Sequence, residues 1–316
     1  MKQPGTDAGS ADAGHRLARW ATYASVSVAL LLLIVKFAAW RLTDSISLLA
    51  SLIDSALDST ASLITLFAVR HALTPPDSEH RFGHGKAEPL AALGQSAFIC
   101  GSAVFLLFEA LGRLLNPVPP AYGKTGIAIM LFSIAVTAAL VCFQNYAARR
   151  SGSLAVQADA LHYKSDLLTG GAVILALSLS SRPQWALADP VTGLAIAGYI
   201  LHTAWRIGRV AWDMLMDREL LESQRQEIVG AVFADSKIRA MHDLRTRASG
   251  PHIFIQFHIE LDGSLSLREA HDVAEKAEGR LRSLFPHAQV IIHQDPYLEE
   301  IHTPDRIRPP PPKRQD

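Results

Sequence analysis

Cysteine is almost missing from this 316-residue chain: it has only Cys100 and Cys142, both inside apolar runs. A structural disulfide is therefore not expected, and both thiols read as small buried hydrophobes. Charge is scarce too, at 19% of residues, and 30 basic side chains are balanced by 30 acidic ones. A chain without net charge lacks the electrostatic footprint of a nucleic-acid binder. No HExxH occurs, which argues against an intramembrane zinc protease, and no P-loop or strand-borne GxGxxG occurs, which argues against ATP-driven work by this chain. The amino terminus lacks the compact layout of a cleavable signal peptide. Being small and polar, residues 1–16 read as a disordered tail.

What is abundant is apolar sequence, 49% of the chain, and it is unevenly placed. Charge-poor stretches fill residues 17–212, whereas the last third is rich in charge. That asymmetry predicts a membrane domain over 17–212, a soluble domain over 213–297 and a proline-rich tail over 298–316, of which 309–316 reads as a solvated extension. A spanning helix needs roughly 20 mostly apolar residues. Six runs qualify: 17–41, 46–71, 89–115, 125–148, 154–180 and 186–210. Breaks at Pro75-Pro76, Asn116-Pro117, Ser151-Gly152 and Arg182-Pro183 separate most of them, and Lys36 is placed to snorkel to the interface. Lys and Arg in the short connections fall nine on one side (Arg16, Arg19, Arg70, Arg81, Lys86, Arg149, Arg150, Arg206, Arg209) and four on the other (Arg41, Arg113, Lys124, Arg182). The richer side faces the cytoplasm, so both termini are expected there, as six spans require.

Two ionisable pairs sit inside these runs. Asp54 and Asp58 share one helix face by their i,i+4 spacing, and so do His162 and Asp166. At about 1.5 Å rise per residue, the first member of each pair lies roughly 12 Å deep and the second roughly 18 Å. They straddle the midplane of a ~30 Å hydrocarbon core, the usual depth of transporter ion sites. Ionisable groups there are costly and mark ion paths or proton relays. Three carboxylates and one imidazole form a ligand set suited to zinc. Iron(II), cadmium and cobalt also suit it. Asp159 falls nearer the inner end, and Lys164 lies off the ligand stripe.

Two further clusters stand outside the spans. Asp77, His80 and His84 are spaced by three and four residues in the loop after the second run, where Gly83 and Gly85 permit a tight backbone. In the soluble part, the pattern predicts a helix over 222–233, a strand over 240–247 and an alternating strand carrying Ile253, Ile255, Phe257, Ile259 and Leu261. A helix over 266–284 and a strand over 290–294 follow. The order αββαβ indicates a small α+β layer. His242, His258, His271, His293 and Asp295 fall within it and read as a metal site; His258 shares the non-core face with Gln256 and Glu260.

The runs around Asp54/Asp58, His80-Arg-Phe-Gly-His84-Gly-Lys86, Ala158-Asp-Ala-Leu-His162-Tyr-Lys-Ser-Asp166, His242-Asp-Leu-Arg-Thr-Arg and His293-Gln-Asp295-Pro resemble the cation diffusion facilitator family, in its bacterial ferrous-iron and zinc efflux branch. The resemblance spans residues 17–297. It implies a homodimer in the inner membrane, six transmembrane helices per subunit, a cytoplasmic metallochaperone-like domain and proton-coupled metal export. Carried over by position, it implies a transport site at Asp54, Asp58, His162 and Asp166 and a loop site at Asp77, His80 and His84. It also implies a binuclear site at His242, His258, His271, His293 and Asp295, and a charge interlock between Lys86 and Asp217 near the dimer interface. The resulting expectation is a divalent cation/proton antiporter, not an enzyme, with zinc as both cargo and regulator. The rival reading is a membrane-anchored metal sensor, and intramembrane carboxylates argue against it because an anchor needs none.

Overall fold

The computed structural model describes residues 7–43, 46–115, 124–179, 188–250, 252–286, 288–298 and 305–309. The breaks expected at Asn116-Pro117 and Arg182-Pro183 lie outside them. The chain divides into two compact units, one ending at Asp213 and the other beginning at Met214.

The first unit consists of long helices: α1 (Asp7–Thr43), α2 (Ile46–Ala72), α3 (Ala87–Leu115), α4 (Lys124–Ser151), α5 (Leu154–Leu179) and α6 (Ala188–Leu215). Among the described residues, four of them are long and apolar enough to cross a membrane, over Ala13–Leu42, Ser51–Ala72, Ala87–Gly112 and Ile127–Ser151. The other two are α5, whose first half carries Asp159, Lys164 and Asp166, and α6, with Arg206 and Arg209. The amino terminus departs from the disordered tail expected over 1–16: helix α1 already runs from Asp7. Alanine-rich sequence adjoining a long helix extends it without a new nucleation cost. Of the two cysteines, Cys142 is exposed on α4 instead of buried.

Helix α5 packs against α2, α3 and α4. Its amino-terminal turn is fixed from two directions. Ser153 caps it, accepting from Val156 N at 3.2 Å, and the Glu88 carboxylate of α3 accepts from Ala155 N at 3.3 Å. Small residues let the backbones approach: Ala92 and Ala103 of α3, Ala158 of α5, and Ala204 and Ala211 of α6 are buried together. At Gly208 the approach is closest, since a Cβ there would lie 2.7 Å from Ser96 Oγ.

The second unit contains α7 (Glu222–Val232), β1 (Ala240–Ser249), β2 (His252–Leu261), α8 (Leu267–Leu284) and β3 (Ala288–Pro296). The αββαβ order is the one the pattern predicts. The sheet order is β1-β2-β3, with β1 antiparallel and β3 parallel to the central β2. Ile255, Phe257 and Ile259 of β2 pack with Val273, Ala277 and Leu281 of α8 and with Ile228 and Val232 of α7. Helix α8 starts at a capping box, in which Ser266 accepts from Glu269 N and Glu269 accepts in return from Ser266 N. Beyond β3, in the proline-rich tail, Ile307 exchanges backbone hydrogen bonds with Met241, which gives the free edge of β1 a partner.

Gly208→Val is expected to force α6 away from α3 at an overpacking cost of about 1–3 kcal/mol. Thermal unfolding in detergent checks this, with Gly198→Val, whose Cβ would meet nothing within 4 Å, as the neutral control.

Candidate metal sites

The intramembrane pairs meet because α2 and α5 pack together. His162 Nε2 lies 2.8 Å from Asp58 Oδ1 and 3.9 Å from Asp166 Oδ2. One ligand atom from each of Asp58, His162 and Asp166 falls within 4.8 Å of the others, close enough to share a metal ion. Asp54 sits one turn earlier on α2, exposed and outside that trio. His162 is buried, so the trio is open mainly from the carboxylate side. Lys36 does not snorkel to an interface. Its Nζ donates to Ser55 Oγ at 2.6 Å and Ser51 O at 3.3 Å, beside Asp54 on α2, and its ammonium interacts electrostatically with Asp58, Asp166 and Asp54. A half-buried ammonium next to carboxylates gains from their charge where it lies.

Asp159 is 1% exposed and does not face this trio. Its oxygens accept from Ser25 Oγ of α1 at 2.6 Å, Gln95 Nε2 of α3 at 3.1 Å and Gln144 Nε2 of α4 at 2.6 Å. Hydroxyls continue the network, with Ser62 Oγ 2.9 Å from Ser25 and 2.7 Å from the Tyr163 hydroxyl. Lys164 points elsewhere, as expected, donating to the Tyr199 hydroxyl at 2.6 Å.

The loop cluster is assembled by Asp77. Its Oδ1 accepts from His80 N at 2.6 Å and Glu79 N at 2.9 Å, closing an Asx turn, while Oδ2 lies 3.1 Å from His84 Nε2. The turn needs glycine at residue 83, where φ is +81°. His84 is 8% exposed and its Nδ1 pairs with Thr74 Oγ1 at 3.0 Å. Asp77, His80 and His84 each offer an atom within 4.8 Å of the others. His71, at the end of α2, packs against His84 with ring centroids 4.3 Å apart and the planes tilted by 55°. Sequence spacing misses it because twelve residues intervene; the tight turn brings it back.

In the second unit the sheet register builds the site. His242 is directly opposite His258 across β1 and β2, and His258 is directly opposite His293 across β2 and β3. Three histidines therefore form one row across three strands, with ring centroids 4.9 Å and 4.6 Å apart. Asp295, two residues beyond His293 on the same face, lies 2.8 Å from His258 Nδ1, 3.5 Å from His242 Nε2 and 3.2 Å from His293 Nε2. His242, His258 and Asp295 form the tight trio. His271 is exposed on α8, the helix packed on the opposite face of β2, and is not brought into that trio. Glu260, on the same face as His258, is 5% exposed and 3.2 Å from His242 Nδ1. Lys86 and Asp217 belong to different units. Lys86 precedes α3, and Asp217, with φ of 54°, accepts from Arg247 Nη1 at 3.2 Å.

Long apolar helices that enclose an imidazole between carboxylates, followed by a small sheet domain with a second such cluster, define a membrane transporter of cations and not an enzyme. The comparisons carry this further. Residues 22–216 match the cation efflux transmembrane domain, and residues 220–297 match the cation efflux protein cytoplasmic domain. The cation-efflux pump FieF of Shewanella oneidensis is 49% identical over 283 residues, 90% of this chain and 95% of the relative. FieF of Shigella flexneri serotype 5b is 47% identical, and that of Klebsiella pneumoniae subsp. pneumoniae 46%, each over 89% of this chain and 93% of the relative. The chain belongs to the cation efflux family.

The Asp77 carboxyl is held below the usual carboxylate range, first by the hydrogen bond from His80 N and then by Glu79 N and the two histidines. A depressed carboxylate stabilises the fold above its unfolded pKa, and the contribution disappears as pH falls through the lowered folded value. An NMR titration of Asp77 is expected to give a midpoint below the ~3.9 of a free aspartate, and Asp77→Asn is expected to remove the acid-dependent loss of order in residues 77–84.

Proposed function

We propose that the chain exports zinc from the cytoplasm across the inner membrane in exchange for protons, working as a homodimer with six transmembrane helices per subunit and both termini in the cytoplasm. Iron(II), cadmium and cobalt are the other ions its ligand chemistry accommodates. The transport site is Asp54, Asp58, His162 and Asp166. The observation that carries the reading is His162 Nε2 lying 2.8 Å from Asp58 and 3.9 Å from Asp166 between two helices of the membrane-type unit. A membrane-anchored sensor has no use for that arrangement.

In the inward-facing state the carboxylates bind the ion with the neutral imidazole. In the outward-facing state the ion leaves, and protons take its place on the same groups. Bound ligands must be deprotonated, so metal and proton compete for one set of atoms, and this competition is the coupling. His162 is the natural coupling residue, since imidazole titrates nearest to neutral pH. Asp77, His80 and His84 form a loop metal site. The row of histidines with Asp295 binds regulatory zinc in the cytoplasmic domain, and Lys86 with Asp217 interlocks the dimer.

Zinc uptake into inverted vesicles, with and without an imposed proton gradient, tests the reading. Uptake is expected to follow the gradient and to fall to the protein-free baseline in Asp58→Ala and Asp166→Ala variants that remain folded. Gradient-independent uptake would instead make the chain a passive channel, and undiminished uptake in either variant would remove the trio from the path.

His162→Asp replaces the single nitrogen donor with oxygen. It is expected to lower the zinc-to-manganese transport ratio by about tenfold, roughly 1.4 kcal/mol. Competition between the two ions in the same vesicles reads the ratio directly; an unchanged ratio would place selectivity elsewhere.

A further inference from the structure

The short segment 305–308 lies beyond residue 297, where the match to the cytoplasmic domain ends, and it makes contacts that reach the histidine row. Ile307 N donates to Met241 O at 2.8 Å and Met241 N donates to Ile307 O at 3.0 Å, so the segment is seated beside β1, one residue from His242. Asp305 Oδ2 accepts from Asp243 N at 2.6 Å. Asp243 has a φ of +49° and sits where the β1–β2 register shifts after His242. A non-glycine residue in that region is strained unless its surroundings hold it, and the Asp305 bond is one such hold.

Arg306 reaches deepest. Its side chain is only 6% exposed, it forms a direct ion pair with Glu260 Oε2, it donates to Leu298 O at 3.0 Å, and its guanidinium lies 4.9 Å from the Tyr297 ring. The other oxygen of Glu260 lies 3.2 Å from His242 Nδ1. An ionised carboxylate only accepts, so this contact places the proton on Nδ1 and leaves Nε2 as the free donor atom. Nε2 is the nitrogen that faces Asp295, at 3.5 Å. The order Arg306, Glu260, His242 is thus a second shell: a cation fixes a buried carboxylate, and the carboxylate fixes the tautomer and ring angle of a ligand.

We infer that the 305–308 segment is a strap and that Arg306 is a positioning residue for the metal centre of the cytoplasmic domain, acting through Glu260 on His242. The inference rests on the reading of His242, His258 and Asp295 as a zinc site. Arg306 does not touch the ion. It sets which nitrogen His242 presents and keeps the Glu260 charge from lying buried without a counterion. Its removal therefore weakens zinc at the domain and leaves the membrane site untouched.

The test uses the full-length protein in detergent, with Asp58→Ala in the background to silence the membrane site, and zinc in competition with a chelator as the probe. Arg306→Gln is expected to weaken domain zinc binding by about 10–100-fold, the usual cost of a lost second-shell partner. Arg306→Lys keeps the charge without the planar fork and is expected to recover part of that loss. In the metal-free protein, nitrogen-15 NMR of His242 is expected to show the Nδ1–H tautomer in the parent and a mixture in Arg306→Gln, a change that loss of packing alone would not produce. If Arg306→Gln proves unstable, Glu260→Gln gives the decision, because it keeps the shape and removes the charge. Parental zinc affinity and an unchanged His242 tautomer in either folded variant would overturn the inference. His258→Ala separates the two levels. If it also binds zinc at the domain as tightly as the parent does, the site reading itself fails; if it loses zinc while Arg306→Gln does not, only the strap is refuted.

Discussion

A carboxylate withdrawn from water must be met by hydrogen bonds or by opposite charge, and α5 carries one such group, Asp159, seven residues before the exposed Asp166. Asp159 is surrounded by neutral donors from three helices, Ser25 of α1, Gln95 of α3 and Gln144 of α4. With its acceptor sites satisfied it has no need of an ion. Asp166, two turns further on, faces Asp58 across an imidazole, and the Lys36 ammonium supplies opposite charge nearby. The first arrangement pins the amino-terminal half of α5 to its neighbours; the second gathers carboxylates around one histidine. His162 is held in a fixed place because the same helix is locked at Asp159, about one turn before it.

The cytoplasmic domain solves a related problem with a sheet. Side chains directly opposite on neighbouring strands stand about 4.5–5.5 Å apart at Cβ, a spacing that suits ligands of a shared ion. Putting His242, His258 and His293 in one row makes β2 the centre of both the fold and the histidine cluster: its Phe257 face carries the core and its His258 face carries the row. The parallel β2–β3 pairing, made possible by the α8 crossover, brings Asp295 within reach of all three histidines.

The i,i+4 pairs on α2 and α5 are readable from sequence because helical periodicity alone places both members on one face. The order of elements after Asp217 is readable because strand alternation and the Ser266/Glu269 capping box are local signals. The Asp159 network is not, since Ser25, Gln95 and Gln144 are unremarkable polar residues until tertiary packing gathers them. The histidine row depends on register, which is set by a shift at Asp243 that no local pattern announces. Helix α1 begins earlier than composition suggests, and the docking of Arg306 on Glu260 has no local signal because 46 residues separate the two.

Lys36 sets the charge that its neighbours on α2 and α5 present. With Asp54, Asp58 and Asp166 ionised, those carboxylates carry three negative charges, and the ammonium docked on Ser55 offsets one of them. The lysine is a fixed internal counterweight: it comes from α1 whereas the carboxylates come from α2 and α5, so three helices must keep their spacing for the offset to hold.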